Sequence, residues 1–153
     1  MRKIIIATIC VVLILMISPW IISPMYNNYL SWRLENGVKN LDSIDEYVIV
    51  EQHSFIGKLN GCGNGINFMT SVLLKTSEPI DEADLELDLQ SLKSVSSIEY
   101  ELLRPTNAKI ETKYLEREDL IFESLLDVDD YSEYVVFNVF DGGYWGGLDI
   151  RGN

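Results

Sequence analysis

Hydrophobic residues fill one long segment near the start of the chain, and this segment has no polar face. The 19 residues from Ile4 to Ile22 (IIIATICVVLILMISPWII) carry no charge, and only Thr8, Ser18 and Pro19 interrupt them. As a helix this segment would be about 28 Å long, close to the bilayer's hydrocarbon thickness of about 30 Å. A helix in a soluble core shows polar residues every three or four positions. The pattern therefore predicts a transmembrane helix that contacts the lipid bilayer from Ile4 to Ile22.

Two cleavable targeting segments begin in a similar way. A signal peptide would use residues 4–17 as its apolar region, but no suitable pair of small residues follows, since Ser23 has Ile21 two positions before it. A lipoprotein signal is excluded because Cys10 lies inside the apolar run. We therefore expect residues 1–25 to form an uncleaved anchor, with a cleaved signal segment as the alternative.

Basic residues predict the orientation of the anchor. Arg2 and Lys3 precede the apolar run, whereas the segment after it sets Arg33 and Lys39 against the acidic residues Glu35, Asp42 and Asp45. Positive charge near a membrane span favours the cytoplasmic side. The chain is thus predicted to be a single-pass protein of the cell membrane, with a cytoplasmic N-terminus and an extracytoplasmic C-terminal domain.

Aromatic residues gather at the end of the predicted span and just beyond it, at Trp20, Tyr26, Tyr29 and Trp32. Such amphipathic rings favour the headgroup layer, although packing against the domain is a second interpretation. We expect the helix to continue as a stalk or linker over residues 26–45, with a C-cap at Asn36-Gly37.

A hairpin is predicted around the glycine-rich stretch GKLNGCGNGINF, residues 57–68. Residues 46–59 are rich in β-branched and aromatic residues, which favours a strand, and residues 66–76 form its partner, with Ile66, Phe68, Thr70, Val72 and Leu74 on one face. Asn60-Gly61 and Asn64-Gly65 supply the turn. A phosphate-binding loop is excluded, because neither the spacing of the glycines nor a following helix fits one.

The second half of the chain predicts a helix and several short strands. Residues 77–93 form the helix, with Ser77 as its N-cap and with leucines at helical spacing, Leu85, Leu89 and Leu92. Leu85, Leu87 and Leu89 also alternate as in a strand, but the start signals favour the helix. Strands are predicted at 97–103, 109–115, 120–126 and 134–140, with an acidic turn at 127–133. We expect an α+β domain over residues 46–153, with a mainly antiparallel sheet and one covering helix.

Charge limits the partners. The chain has 24 acidic and 12 basic residues, a net charge of −12, and every acidic residue follows the predicted span. Such a surface repels nucleic acid and anionic headgroups, so no nucleic-acid partner is expected. The remaining candidate is a protein or an envelope component.

Candidate chemistry is sparse. His53 is the one histidine and lies in the middle of a predicted strand, and Cys62 is the one cysteine beyond the span, so a zinc site is not expected. Asp127–Asp130 resembles the start of a calcium loop, but Tyr131 and Ser132 stand where Asp or Asn and then Gly are needed. We predict no catalytic residue, no cofactor and no metal. A buried thiol and an intermolecular disulfide both stay open for Cys62.

The tail DGGYWGGLDIRGN, residues 141–153, offers a candidate binding surface. Glycine pairs bracket Tyr144 and Trp145, which leaves their rings few neighbours, and Arg151 follows. The alternative is structural: the tail folds back, with Arg151 paired to Asp149 or Asp141.

The hairpin motif and the terminal LDIRGN resemble a family of small, uncharacterised extracytoplasmic proteins of Gram-positive, Clostridia-like bacteria. The resemblance covers most of residues 45–153 and implies a membrane segment, a GKLxGxGNG hairpin, an acidic helix and a C-terminal LDIRG motif. The chain departs from the family pattern at Cys62, Ile66, Asn67 and Asn153. The resemblance implies location and domain extent and supplies no mechanism.

The function expected from these observations is unknown in chemical detail. The chain is expected to be a non-enzymatic, membrane-anchored extracytoplasmic binding or accessory protein, for example an immunity-like protein. The alternative is a hydrolase that acts on envelope material through acidic residues.

Overall fold

The computed structural model describes residues 2–59, 65–76, 78–92, 98–116, 118–144 and 149–152. Its helices and strands are α1 (Arg2–Lys39), β1 (Val48–Gly57), β2 (Ile66–Lys75), α2 (Glu82–Ser91), β3 (Ile98–Leu103), β4 (Lys109–Ile110), β5 (Leu120–Ile121) and β6 (Tyr134–Tyr144). Short 3₁₀ turns occur at Asp42–Ile44, Glu123–Leu125 and Ile150–Gly152. The predicted α+β class is confirmed.

Helix α1 has two chemically different halves. The large apolar side chains of residues 4–22 are 49% to 71% exposed, and the helix is long and apolar enough to cross a membrane. Beyond them, Asn27, Leu30, Leu34 and Val38 recur every three or four positions and are buried. The predicted stalk is therefore a continuation of the helix that packs on the domain.

Helix α1 ends at Lys39, so the predicted C-cap at Asn36-Gly37 is wrong. Both residues lie inside the helix. The Asn36 side chain donates a hydrogen bond to the Trp32 carbonyl at 2.7 Å, and Gly37 permits close approach of the Leu92 side chain. Packing at this point keeps the helix going where local sequence favours a stop.

The described strands form a four-stranded antiparallel sheet in the order β1-β2-β6-β3, and β4 pairs with β5 separately. One face of the larger sheet packs against α1 and α2 through side chains such as Phe68, Val72 and Phe137. The other face packs beneath β4, β5 and their connections, through side chains such as Met69 and Val136. The domain thus has three layers, and two helices rather than one cover its first face.

The predicted hairpin is confirmed, since β1 and β2 pair antiparallel from Val48 opposite Lys75 to Gly57 opposite Asn67. The predicted turn falls on residues 60–64, which lie outside the described residues, and on Gly65. Gly57 has a φ of +149°, which a side chain would strain. The sequence alternation on β2 is borne out as well, although both of its faces are buried.

Helix α2 is confirmed but begins later than predicted. Its N-cap is Asp81, whose Oδ1 accepts hydrogen bonds from the amides of Ala83 at 2.9 Å and Asp84 at 3.4 Å. An N-cap at Ser77 is therefore wrong, because the carboxylate nearer the apolar positions satisfies these free amides. Ser77 itself lies outside the described residues.

The strands predicted at 109–115 and 120–126 are much shorter, with two residues each in β4 and β5. After Phe122 the chain turns into the 3₁₀ segment Glu123–Leu125. The side chains of Tyr114 and Leu125 are buried in the same cluster as Met69 and Val136. Burying these large side chains stabilises the fold more than a longer two-stranded ladder would.

Candidate functional site

The most closely bonded group of charged side chains lies at residues 149–152, which we call the C-terminal clasp. The Asp149 carboxylate accepts hydrogen bonds from Arg151 Nε at 2.9 Å and from Arg151 Nη2 at 2.6 Å. The Arg151 backbone amide donates a third, at 3.1 Å. This geometry is a two-point ion pair, which fits the planar guanidinium to the carboxylate. The pairing of Arg151 with Asp149, one of the two structural options, is the one found.

The clasp bonds to helix α1 directly beyond its apolar half. Asn27 Nδ2 donates to Asp149 Oδ2 at 3.0 Å, and this contact is buried. Arg151 Nη1 donates to Asn28 Oδ1 at 2.8 Å, and Arg151 Nη2 reaches the Pro24 carbonyl at 3.4 Å. A carbonyl oxygen has two lone pairs, so that of Pro24 can accept a bond from Arg151 in addition to one within the helix. The clasp therefore fixes the end of the fold to one turn of α1.

The clasp also holds the hairpin. The amide of Lys58 donates to the Arg151 carbonyl at 3.0 Å, and the amide of Gly65 donates to the Gly152 carbonyl at 3.1 Å. A Cβ on Gly152 would lie 2.9 Å from the Gly65 carbonyl oxygen, closer than real contacts allow. Glycine at position 152 thus permits the clasp to lie against the hairpin backbone.

The electrostatics of the clasp favour a permanent ion pair. Hydrogen bonding from Arg151 lowers the pKa of Asp149 to about 2, against the opposing effect of burial, and Asn27 adds to the lowering. The same hydrogen bonds raise the pKa of Arg151. Asp149 is 1% exposed, so its charge depends on these partners.

The candidate binding residues have different positions. Arg151 is partly exposed and its guanidinium is occupied by Asp149, Asn28 and Pro24. Tyr144 ends β6, where its backbone pairs with Ile66. The Tyr144 side chain and all of Trp145 lie outside what the structure describes, so their use as a binding surface remains a prediction.

His53 lies on β1 beside the Glu51 carboxylate, which bonds this strand to the segment after Phe122. His53 Nε2 is 2.8 Å from Glu51 Oε1, and the Glu51 carboxylate also accepts the amides of Glu123 at 3.1 Å and Ser124 at 2.8 Å. Burial raises the pKa of Glu51, but these hydrogen bonds together outweigh burial and leave that pKa lowered. The Phe122 ring packs edge-on against His53 at 5.1 Å. Glu51 and His53 therefore hold β1 to the layer that contains β4, β5 and the turn Glu123–Leu125.

A row of polar side chains crosses the larger sheet on the face that β4 and β5 cover. His53 lies opposite Ser71, Ser71 opposite Asn138, and Asn138 opposite Glu101. Ser71 donates to the Asn138 side-chain carbonyl, and Asn138 Nδ2 donates to Glu101 Oε2 at 3.3 Å. Ser71 and Asn138 are fully buried, so these bonds satisfy groups that water does not reach.

The aromatic residues after the span do not pack on the domain. Trp20, Tyr26, Tyr29 and Trp32 are each 52% to 57% exposed. The rings of Tyr29 and Trp32 stack with centroids 6.0 Å apart. Exposure at this level is typical of rings at a membrane surface or a partner surface.

Carboxylates line an open groove between the 3₁₀ turn Asp42–Ile44 and α2, with Asp81, Asp84 and Asp88 on its helical side. Asp88 Oδ2 accepts the Ser43 amide at 2.6 Å, which joins the two elements. Within the described part of the chain, no group of three or more metal-ligating side chains is placed to hold an ion. In the calcium-like segment, Asp130 accepts the Ser132 amide at 2.9 Å, and this bond lowers the pKa of Asp130.

Sequence reasoning missed Asn27 and Asn28 as partners of the tail. A signal for Asn27 was present, since it begins the buried series that continues through Leu30 and Leu34. Cys10 is exposed on the apolar half of α1, and Cys62 lies outside the described residues.

Comparison with protein-family models, with curated proteins and with solved structures finds no match to this chain.

Proposed function

We propose that this protein is a non-enzymatic, single-pass membrane protein whose extracytoplasmic domain acts by binding a protein or envelope partner, as an accessory or immunity-like protein does. The observation that carries the proposal is the composition of α1. Residues 4–22 expose a charge-free and mostly apolar surface, and the second half of the helix supplies Leu30, Leu34 and Val38 to the domain core. Lipid is the solvent that suits the first half, and no soluble fold would leave it bare.

The charge distribution supports an outward-facing domain. Arg2 and Lys3 lie directly before the apolar half, whereas the first basic residue after it is Arg33, eleven positions beyond Ile22. Basic residues stay on the cytoplasmic side, whereas acidic ones have little effect on translocation. In the proposed topology, the N-terminus is therefore in the cytoplasm and the domain is outside.

The use of the polar side chains supports binding rather than catalysis. Asp149, Arg151 and Glu51, whose pKa values move from their ordinary ranges, all bond one structural element to another. Catalytic groups in contrast face a cleft where substrate can reach them. A domain built this way offers a stable surface.

Topology is tested with the full-length chain in intact cells. Alkaline carbonate should leave the chain in the membrane fraction, and added protease should remove residues beyond 26 without lysis. The control variant carries Leu13→Lys and Ile14→Lys, each of which costs about 3 kcal/mol at the centre of a span, and should lose membrane retention. A domain protected in sealed cells and cut only after lysis would contradict the orientation.

Partner binding is tested on the same cells by crosslinking through an amine-reactive reagent before mild solubilisation. The expected result is one discrete complex larger than the monomer, obtained again with purified components. A monomer at every crosslinker concentration, together with turnover of envelope polymer by the purified chain, would instead favour the hydrolase.

A further inference from the structure

We propose that the folded domain rests directly on the bilayer that holds α1, with the 3₁₀ turn Ile150–Gly152 in the lipid headgroup layer. The proposal depends on the proposed membrane anchoring and adds a lipid-contacting surface on the domain itself. Its partner is the headgroup and interfacial region of a phospholipid bilayer.

The clasp contacts α1 a short distance beyond the apolar run. Pro24 lies two residues beyond Ile22, so its carbonyl is about 3 Å past the end of the apolar run, and Asn27 is about 7 to 8 Å past it. The clasp bonds to both of these positions, at 3.4 Å for Pro24 and 3.0 Å for Asn27. The headgroup layer on each side of a bilayer is about 5 to 8 Å thick. The turn therefore lies at headgroup height.

The domain is packed firmly on the second half of α1. Helix α1 runs without a break from the apolar half to Lys39, and Leu30, Leu34 and Val38 are buried in the domain core. The domain cannot separate from this part of the helix without exposing these side chains. Losing their burial would cost about 1.5 to 3 kcal/mol for each side chain.

The surface at this height carries side chains that suit the interfacial layer. Ile150 is 74% exposed, and Met25 and Tyr26 on the neighbouring turn of α1 are 66% and 56% exposed. Arg151 stands beside them with its guanidinium toward α1. An aliphatic residue, a tyrosine and an arginine are the side chains that the interfacial layer accommodates.

Acidic residues are concentrated beyond the far end of α1. Residues 42–47 and 78–91 contain nine acidic residues and no basic one, whereas residues 23–34 and 149–152 contain Arg33 and Arg151 against Asp149. From Pro24, α1 runs fifteen residues, about 22 Å, to its end at Lys39, and the acid-rich groove begins at Asp42, after that end. Charges this far apart are screened in physiological salt, where the Debye length is about 8 Å. The acidity of the domain therefore does not repel it from its own membrane.

The test uses fluorescence quenching by lipid. In a Cys10→Ala, Cys62→Ser background, the full chain carries an environment-sensitive fluorophore on Ile150→Cys or on Leu87→Cys. Leu87 is a matched control, since it is 64% exposed on α2 beside the acid-rich groove. Met25→Cys, on α1, is the positive control. The chains are reconstituted into phosphatidylcholine vesicles that contain lipid spin-labelled near the headgroup.

The expected result is quenching at positions 25 and 150 that is roughly threefold or more above that at position 87, since only these lie at headgroup height. Both orientations in the vesicle give the same result because both leaflets carry the quencher. Equal quenching at 150 and 87, in chains that float with the vesicles, would overturn the inference and leave the anchor intact. Chains that do not float with the vesicles would overturn the anchor and the inference together. Near-ultraviolet circular dichroism matching the unlabelled chain shows that each variant is folded.

Discussion

Asn27 Nδ2 lies 3.0 Å from Asp149 Oδ2, although 122 positions separate the two residues. The bond joins the first buried turn of α1 to the clasp and closes the domain around its own sheet. The contact is buried and Asp149 is charged. Loss of the bond would therefore leave a buried polar group without its hydrogen-bond partner, which destabilises the fold.

Arg151→Met is expected to destabilise the domain by about 3 kcal/mol, since it leaves the Asp149 carboxylate buried with one partner fewer. The measurement is the free energy of unfolding of the full chain in detergent micelles. Lys109→Met is the matched control, because Lys109 pairs with Asp119 at 2.7 Å on an exposed surface. That variant should leave the free energy of unfolding nearly unchanged, because an exposed ion pair contributes little to stability. Equal losses in the two variants would contradict a special role for the clasp.

Acid is expected to weaken the clasp. The folded pKa of Asp149, about 2, lies below its ordinary value of 3.8. Stability from a lowered pKa is present above the unfolded value and is lost as pH falls through the folded one. The contribution, about 2 kcal/mol, should therefore disappear between pH 4 and pH 2. Comparing unfolding of the natural chain with that of Asp149→Asn tests this, because the gap between them should narrow over that range. A constant gap down to pH 2 would refute it.

Gly152→Ala is expected to lower stability by about 1 to 3 kcal/mol, because its Cβ would meet the backbone oxygen of Gly65. Gly37→Ala is the control, since its Cβ would meet only the end of the Leu92 side chain, at 2.8 Å. Leu92 can rotate, and alanine favours a helix by about 1 kcal/mol over glycine. The thermal midpoint should fall for the first variant and hold or rise for the second. The reverse order would show that the clasp is loosely packed.

Asn138→Asp is expected to destabilise the sheet by about 3 kcal/mol or more, because it sets a second carboxylate beside Glu101 and removes a donor. Asn107→Asp is the control, since Asn107 uses its side-chain oxygen to accept the Lys109 amide in an exposed turn. A carboxylate accepts that bond equally well. Urea midpoints for the two variants at neutral pH supply the comparison, and similar midpoints would exclude a buried polar row.

Local pattern was sufficient for several elements. The charge-free run, both strands of the hairpin and the strand predicted at 134–140 were found from local sequence, and the structure extends the last of these to Tyr144. The leucines Leu85 and Leu89 likewise marked the buried face of α2. These features need no knowledge of distant residues.

Contacts between distant segments were not predictable in the same way. The aromatic residues Tyr29 and Trp32 drew attention to one face of α1, while the opposite face, with Leu30 and Leu34, is the one that packs. The pairing of Asp149 with Arg151 was one of two structural options, but Asn27 as a further partner depends on how the sheet places the tail. Sequence spacing carries no information about that placement.

The sheet order has a consequence for biosynthesis. Strand β6 lies between β2 and β3, so β3 has no strand to pair with until residues 134–144 exist. The N-terminal segment, by contrast, leaves the ribosome first. If that segment enters the translocation channel as proposed, the nascent polypeptide is tethered while the unpaired edges of β2 and β3 await their shared neighbour. Tethering then separates unfinished copies from one another during the interval in which they are most prone to aggregate.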